Sequence, residues 1–342
     1  MGVAIVDLLE PTETTFDELK GKTLVVDSFN ILYQFLTTIR QPDGTPLQNS
    51  KGNVTSHLTG LFTRTTNLMQ KGLKLVFVFD GKTPELKKAE REKRADLKTE
   101  AAKKYEESKQ EGDIDGMKKY ASRTTRLTNE MIEEAKELLD ALGVPWVQAP
   151  SEGEAQAAYM VNKGDAYGVV SQDIDSLLFG ATRLIRNLTI TQKRKVAGKL
   201  SYTSTKPQTI SLSDTLNALQ IDRKQLIVLA MLVGTDYNVG GVKGIGPKKG
   251  LQLVQKYGHD FTGLFKEVDW PFDTPWQEIL QFFYDVPVTD DYKIRRGLPN
   301  DEKVKQLLVD KHEFSVERVE NTLQKFAKEK QKRQQKGLQD FF

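Results

Sequence analysis

Short apolar runs rich in β-branched and aromatic residues recur along the chain, and they lead into carboxylates. KTLVVD ends at Asp27, LKLVFVFD at Asp80 and AYGVVSQD at Asp173, while GVPWVQAP runs into Glu152 and Glu154. Their length and composition predict strands. Between them lie helical patterns, from Asn129 to Leu142 and from Arg223 to Val233. Strands alternating with helices predict an α/β fold, a mostly parallel central sheet flanked by helices. The ligand crevice of such a sheet lies beyond the carboxyl ends of its strands, where this chain carries its acids.

Each acid has a local explanation. Asp80-Gly81 is a turn dipeptide, Asp27 can cap the helix that follows it, and Ser151 to Glu154 spells the S-x-x-E capping box. Capping does not explain why the residue after nearly every strand is acidic, nor the paired Asp173 and Asp175 in SQDIDSLLFG. With Asp236 the set is Asp27, Asp80, Glu152, Glu154, Asp173, Asp175 and Asp236. Two like charges ~4 Å apart repel by about 1 kcal/mol in water and several times that near a protein surface. Gathered in one pocket, the seven require protonation or cations. All-oxygen ligation favours magnesium or manganese. The Asp-x-Asp pair also suits aspartyl-phosphate phosphatases, with the first carboxylate as nucleophile. Leu177 stands where that pattern takes Thr or Val, and the other acids would have no role.

Composition adds limits. The 342 residues are 38% hydrophobic and 28% charged, enough for a sizeable core. Without cysteine, disulfides and thiolate metal sites are excluded, and three histidines leave little for zinc. No apolar run approaches the ~20 residues of a membrane span. The start MGVAIVDLLEP has neither a signal-peptide flank nor, with Val6, a myristoylation motif. Fifty Lys and Arg against 47 Asp and Glu leave a net +3, so the distribution of charge says more than its sum.

From Lys82 to Arg126 the chain carries 14 Lys or Arg and 10 Asp or Glu and reads as helix from about Glu85. Lys87, Arg91, Arg94 and Lys98 form one basic stripe at helical spacing, rising from the rim of the acidic pocket. Such a stripe suits the approach of a phosphodiester. GTDYNVGGVKGIGPKKG, residues 234–250, interleaves glycines with Lys243, Lys248 and Lys249, a pattern for backbone and side-chain contact with phosphate. The chain ends QKGLQDFF, where Leu338, Phe341 and Phe342 suit one helical turn docking into a partner's pocket.

FVFDGKTPELKK, QAPSEGEAQAAY, SQDIDSLLFG, LVGTDYN and GGVKGIGPKK resemble, in order and over the whole chain, the motifs of the flap structure-specific 5′ endonucleases, most of all their archaeal members. The resemblance implies that the seven carboxylates hold two divalent ions, Mg²⁺ with Mn²⁺ as a substitute. It implies that Lys87 and Arg94 contact the scissile phosphate, that Tyr33 stacks on the neighbouring nucleotide, and that Gly2 lies near the active site. Residues 82–128, with Arg91, resemble a helical gateway and cap for the single-stranded 5′ end. Residues 226–258 resemble a helix-two-turn-helix that grips duplex DNA through Lys243, Gly244, Gly246, Lys248 and Lys249, with a K⁺ site.

The tail matches, through Gln335, Leu338, Phe341 and Phe342, the box that docks on the replication sliding clamp of the proliferating cell nuclear antigen type. It ends on the last residue, without the basic extension of longer relatives. The organisation implied is a single nuclease domain over residues 1–325, followed by a flexible tail over 326–342. The activity implied is removal of 5′ flaps in replication and repair, in Okazaki fragment maturation and base excision repair. Hydrolysis leaves 5′-phosphate and 3′-hydroxyl ends and is accompanied by 5′-3′ exonuclease action. The protein is expected to be a monomer without membrane attachment, cytoplasmic in an archaeal cell or nuclear in a eukaryotic one. The competing readings are a related gap- or bubble-cutting nuclease and a non-catalytic, clamp-bound DNA scaffold.

Overall fold

The four apolar runs form the parallel heart of a seven-stranded sheet in the computed structural model, which describes residues 3–189, 193–195 and 202–339. In chain order the strands are β1 (Thr12–Glu13), β2 (Thr23–Asp27), β3 (Lys74–Phe79), β4 (Trp146–Gln148), β5 (Gly168–Val170), β6 (Arg183–Arg186), the hairpin pair β7 (Lys193–Lys195) and β8 (Tyr202–Ser204), and β9 (Gln208–Ser211). The order across the sheet is β1-β9-β6-β5-β2-β3-β4, and β7 with β8 stands apart. Strands β2 to β6 are parallel, with Val25 of β2 opposite Val76 on one side and Val169 on the other. β9 and β1 add an antiparallel edge. The chain runs outward from β2 through β3 to β4, then returns to β5 on the other flank of β2. That reversal creates a switch point between the carboxyl ends of β2 and β5.

Both faces of the parallel strands are covered, which is why they read as continuous apolar runs. Val25, Val76, Val147 and Val169 face a layer containing the helices Gly153–Asn162 and Arg223–Val233. Leu24, Val26, Leu75, Phe77 and Phe79 face the helices Ser28–Thr38, Ser56–Gln70 and Asn129–Ala141. The helix Arg223–Val233 is apolar nearly all round, and Leu226 through Leu232 are at most 1% exposed. β6 and β9 escape detection in the sequence because charged and polar residues flank very short apolar cores, and β1 because its two residues are both polar and exposed.

After β3 a 3₁₀ turn, Glu85–Lys87, leads into the long helix Lys88–Glu111. Gly112, left-handed, ends that helix, and Asp113 caps the next, Ile114–Ala121, by accepting from Gly116 N–H. The pair forms a helical hairpin above the sheet's carboxyl edge, within the expected gateway.

At the C-terminus the helix Val316–Gln339 buries Val319 and Leu323 in the second core layer and runs across the boundary expected at residue 325. Nearby, Glu134 is clasped by His57 Nε2 at 3.2 Å, His312 Nε2 at 2.9 Å and Lys311 Nζ at 3.2 Å. Burial would raise its carboxyl, yet the His57 hydrogen bond and the neighbouring cations hold it down to about 2. Among the described residues no helix is long and apolar enough to cross a membrane.

Candidate active site

Asp27 closes β2 and caps the helix Ser28–Thr38, accepting from Asn30 N–H at 3.1 Å. The Asn30 amide then ties β2 to β5. It donates to Asp173 Oδ2 at 2.8 Å and accepts from Gln172 N–H at 3.2 Å. Ser171 Oγ adds a 3.3 Å bond to Asp27 Oδ2. Asp80, just beyond β3, accepts from Gly153 N–H at 2.7 Å, so one strand's carboxylate sits at the positive end of another unit's helix. That approach needs glycine, since a β-carbon at position 153 would lie 2.5 Å from Asp80 Oδ1.

The capping box expected at Ser151 and Glu154 does not form. Glu152 is the N-cap and makes no side-chain capping bond, while Ser151 Oγ donates to the carbonyl of Lys82. Asp80 satisfies the helix N-terminus in its place, and both glutamates line the pocket. Asp175 opens the short helix Asp175–Leu178 and accepts from Val3 N–H at 3.1 Å. Asp236 follows the helix Arg223–Val233 in a turn held by Asn238, which accepts from Thr235 and donates to the Met231 carbonyl at 2.6 Å.

All seven carboxylates line one cavity of about 330 Å³, together with Phe29, Asn30, Tyr33, Lys87, Arg94 and Lys98. Lys87 Nζ is 2.6 Å from Glu152 Oε2 and 3.3 Å from Asp236 Oδ2, and Arg94 reaches Asp236 at 3.6 Å. Lys98 Nζ lies 5.4 Å over the Tyr33 ring. Arg91, the remaining member of the basic stripe, is exposed and lines no part of the cavity. In that turn the inward place belongs to Glu90, which is 5% exposed and pairs with Arg94.

Negative charge exceeds what these cations neutralise. Burial, reinforced by Asp80 and Asp173, pushes the Asp27 carboxyl up to about 7. Burial with Asp236 and Asp173 raises Asp175 to about 7 as well. Glu154, Asp80 and Glu152 are also raised, burial being the main cause. Burial opposes the Lys87 charge, but Glu152 and Asp236 overcome it and hold the ammonium protonated. An all-oxygen wall of carboxylates driven upward by burial and mutual repulsion fits hard divalent cations. No group of three or more His, Cys, Asp or Glu among the described residues is closed into a ready metal cage. Several donors are instead held on the cavity wall by Asn30, Gly153, Val3 and Lys87.

The sequence reading missed Asn30, Ser171, Phe29 and Tyr237. Asn30 carried a signal, since it occupies the first-turn position that an Asp27 cap would address. Tyr237 is buried against Phe282 and Phe283, with Lys87 Nζ 5.5 Å from its ring centroid. Burial, with Glu152 and Asp175 adding, pushes its hydroxyl well above the usual phenol range.

The glycine loop, 234–246, joins the helices Arg223–Val233 and Pro247–Tyr257 and doubles back on itself. Gly241 has φ +62°, and a β-carbon there would lie 2.3 Å from the Val233 backbone. Lys243, Gly244, Gly246, Lys248 and Lys249 are exposed outside the carboxylate cavity. Gly246 caps the second helix without a side chain, and Lys248 and Lys249 stand in its first turn, where an anion is favoured and a lysine alone is not. Gly2, Phe341 and Phe342 lie outside the described residues. Gln335 and Leu338 fall within the helix Val316–Gln339, their side chains outside the description.

Comparison with known proteins matches residues 1–101 to the XPG N-terminal domain and residues 143–236 to the XPG I-region. The chain is 49% identical over 351 aligned residues to the protein named Flap endonuclease 1 of Staphylothermus marinus, with all of both chains covered. Among solved structures it is similar to flap endonuclease-1 of Methanococcus jannaschii, with a TM-score of 0.76 and 40% identity over 96% of this chain and 98% of that one. The catalytic core of Rad2 in complex with DNA substrate shares the fold, with a TM-score of 0.67 and 23% identity over 93% and 96% of the two chains.

Proposed function

We propose that this chain, which belongs to the flap endonuclease family of XPG nucleases, removes 5′ flaps from branched DNA by hydrolysing one phosphodiester bond. The observation that carries this reading is the cavity at the carboxyl ends of the parallel strands, where seven carboxylates meet Lys87 and Arg94 at the foot of a helical hairpin.

Asp27, Asp80, Glu152, Glu154, Asp173, Asp175 and Asp236 would hold two Mg²⁺ ions, or Mn²⁺ in their place. Such ions lower the pKa of a bound water and stabilise the attacking and leaving oxygens of an in-line displacement. The chain's own groups do the positioning. Lys87 and Arg94 would exchange their carboxylate partners for the scissile phosphate, keeping its charge from being repelled. Tyr33 would take the adjacent base on its ring. Asn30 fixes the separation of Asp27 and Asp173, and Val3 N–H fixes Asp175. The products are a 5′-phosphate and a 3′-hydroxyl.

Gly2 belongs near this site by family resemblance, and Arg91 belongs with the gateway for the single strand rather than with the phosphate. The loop of Lys243, Gly244, Gly246, Lys248 and Lys249 would bind duplex backbone, and by the same resemblance would hold a K⁺. A monomer acting in the cytoplasm during replication and repair completes the reading. The test is cleavage of flap, gapped and bubble substrates side by side, in magnesium and in chelator. Magnesium-dependent cutting with flap as the best substrate is expected. Preference for bubbles would replace this reading with that of a junction-type relative, and absence of cutting in magnesium would leave a DNA scaffold.

Gln335, Leu338, Phe341 and Phe342 would dock on a sliding clamp, inserting three apolar side chains into its pocket. Deleting residues 335–342 should leave cleavage of free flap DNA within about twofold and remove stimulation by the clamp, a change of tenfold or so in apparent KM. Equal stimulation of the shortened and full-length chains would rule out this docking mode.

A further inference from the structure

The Lys87 ammonium is held by partners of two kinds. Glu152 Oε2 and Asp236 Oδ2 hold it by charge, at 2.6 and 3.3 Å. Tyr237 holds it by the electron-rich face of its ring, with Nζ 5.5 Å from the centroid. Tyr237 is 8% exposed and the Lys87 side chain 17%, so little water screens that attraction. The ring itself is fixed on every side that matters for its aim. Its backbone N–H donates to Thr235 Oγ1 at 3.1 Å, within the turn that presents Asp236. From the helix Trp276–Asp285, Phe282 packs on the ring at 4.6 Å between centroids and Phe283 meets it edge-on at 5.3 Å and 85°. Phe283 is anchored in turn against Phe179 in the first core layer.

These two kinds of partner answer differently to divalent cations. Glu152 and Asp236 belong to the set that would hold them, and a bound ion draws on the same negative charge that attracts Lys87. Their grip on the ammonium weakens as the site fills. The ring carries no ionised group for a cation to take, so its grip stays. Without it, a lysine released by its carboxylates would regain the rotamer freedom of its flexible four-carbon stem, and its charge would no longer be directed to one point.

We infer that Tyr237 is the platform that keeps the Lys87 ammonium aimed at the scissile phosphate once divalent ions occupy the carboxylates. That role rests on the nuclease reading and on Lys87 as a phosphate contact within it. Tyr237 is a positioning residue, since it acts through Lys87 and not on the reacting atoms. The face of the ring is what the role requires, and the hydroxyl is dispensable to it.

The test is single-turnover cleavage of flap DNA in magnesium by the wild type, Tyr237→Phe, Tyr237→Leu and chains with increasingly fluorinated phenylalanines at the same position. Fluorine drains the ring's electron-rich face while changing its volume little. Tyr237→Phe should keep the rate within about twofold, the fluorinated series should fall stepwise to roughly a tenth of it, and Tyr237→Leu should lose about tenfold. With Lys87→Met in the same chain, fluorination should have no further effect, because the group that the ring holds is gone. A second readout needs no cleavage. In the metal-free chain with isotope-labelled lysines, the ε-methylene signal that disappears in Lys87→Met should be shifted upfield by the ring, should stay shifted when magnesium is added, and should return to the position of the other lysines in Tyr237→Leu. A rate indifferent to fluorination, an equal fluorination effect in the Lys87→Met chain, or loss of the Lys87 shift in magnesium would overturn the platform while leaving the nuclease reading intact. A wild type that cuts no flap in magnesium would overturn the nuclease reading itself, and this role with it.

Discussion

Replacement of Asp175 by Asn should lower the rate of flap hydrolysis by roughly 10³-fold or more while leaving the affinity for flap DNA unchanged or modestly tighter. The side chain keeps its size and an oxygen that can accept from Val3 N–H, so the local frame is preserved. What it loses is one negative charge and one anionic oxygen at the buried centre of the carboxylate wall. On the proposed reading, ground-state binding would rely on Lys87, Arg94 and the basic loop and would gain from the removal of a charge that repels phosphate. Quenched-flow cleavage and equilibrium binding on one labelled flap substrate separate the two effects. A variant cutting at the wild-type rate would remove Asp175 from the metal-binding set, and an equal loss of binding and rate would make its role one of substrate affinity. The melting temperature of the metal-free variant should hold or rise, because the buried carboxyl it replaces is already pushed up to about 7 by burial and by Asp236.

Six of the carboxylates could be read in the sequence because they lie at strand ends or helix starts that the apolar pattern marks. β2, β3 and β5 are short, continuous and apolar on both faces, and the residue following such a strand in a parallel sheet points to the crevice. Asp236 is marked instead by the end of the apolar run that forms the helix Arg223–Val233 and the turn after it. The antiparallel strands β1 and β9 carry little apolar signal, because β1 is a two-residue polar edge and β9 holds one buried apolar residue, Ile210, among polar ones. The helix hairpin after β3 was visible as charge spacing, but spacing alone did not distinguish Arg91, left to solvent, from Glu90, turned inward to Arg94. For Asn30 the sequence holds only its place in the first turn after Asp27, not its role. Its function is a pair of hydrogen bonds across 143 and 142 residues, and only the three-dimensional adjacency of β2 and β5 creates them.

The same excess of negative charge sets the second large effect, a magnesium stabilisation that grows with pH. Asp27 and Asp175 have folded values of about 7 against ordinary values of 3.8. Between those limits the folded metal-free chain holds more protons at these groups than the unfolded chain does. Their contribution to stability is therefore fully present below about pH 4 and is lost as pH rises through about 7. A divalent ion replaces those protons as the neutralising charge, so its binding competes with them and strengthens as pH rises. With magnesium at a hundred times its dissociation constant, the stabilisation is about 2.7 kcal/mol, or roughly 5 °C for a chain of this size. Thermal melts with and without magnesium should show that gain at pH 8 and little of it at pH 5, where both carboxyls are protonated. Comparing the gain rather than the melting temperature removes groups elsewhere, such as His312, whose lowered value from burial favours folding at higher pH in both conditions. In Asp27→Asn with Asp175→Asn, the magnesium gain at pH 8 should largely vanish. An equal gain at both pH values, or a full gain in that double variant, would place the cation away from these carboxylates.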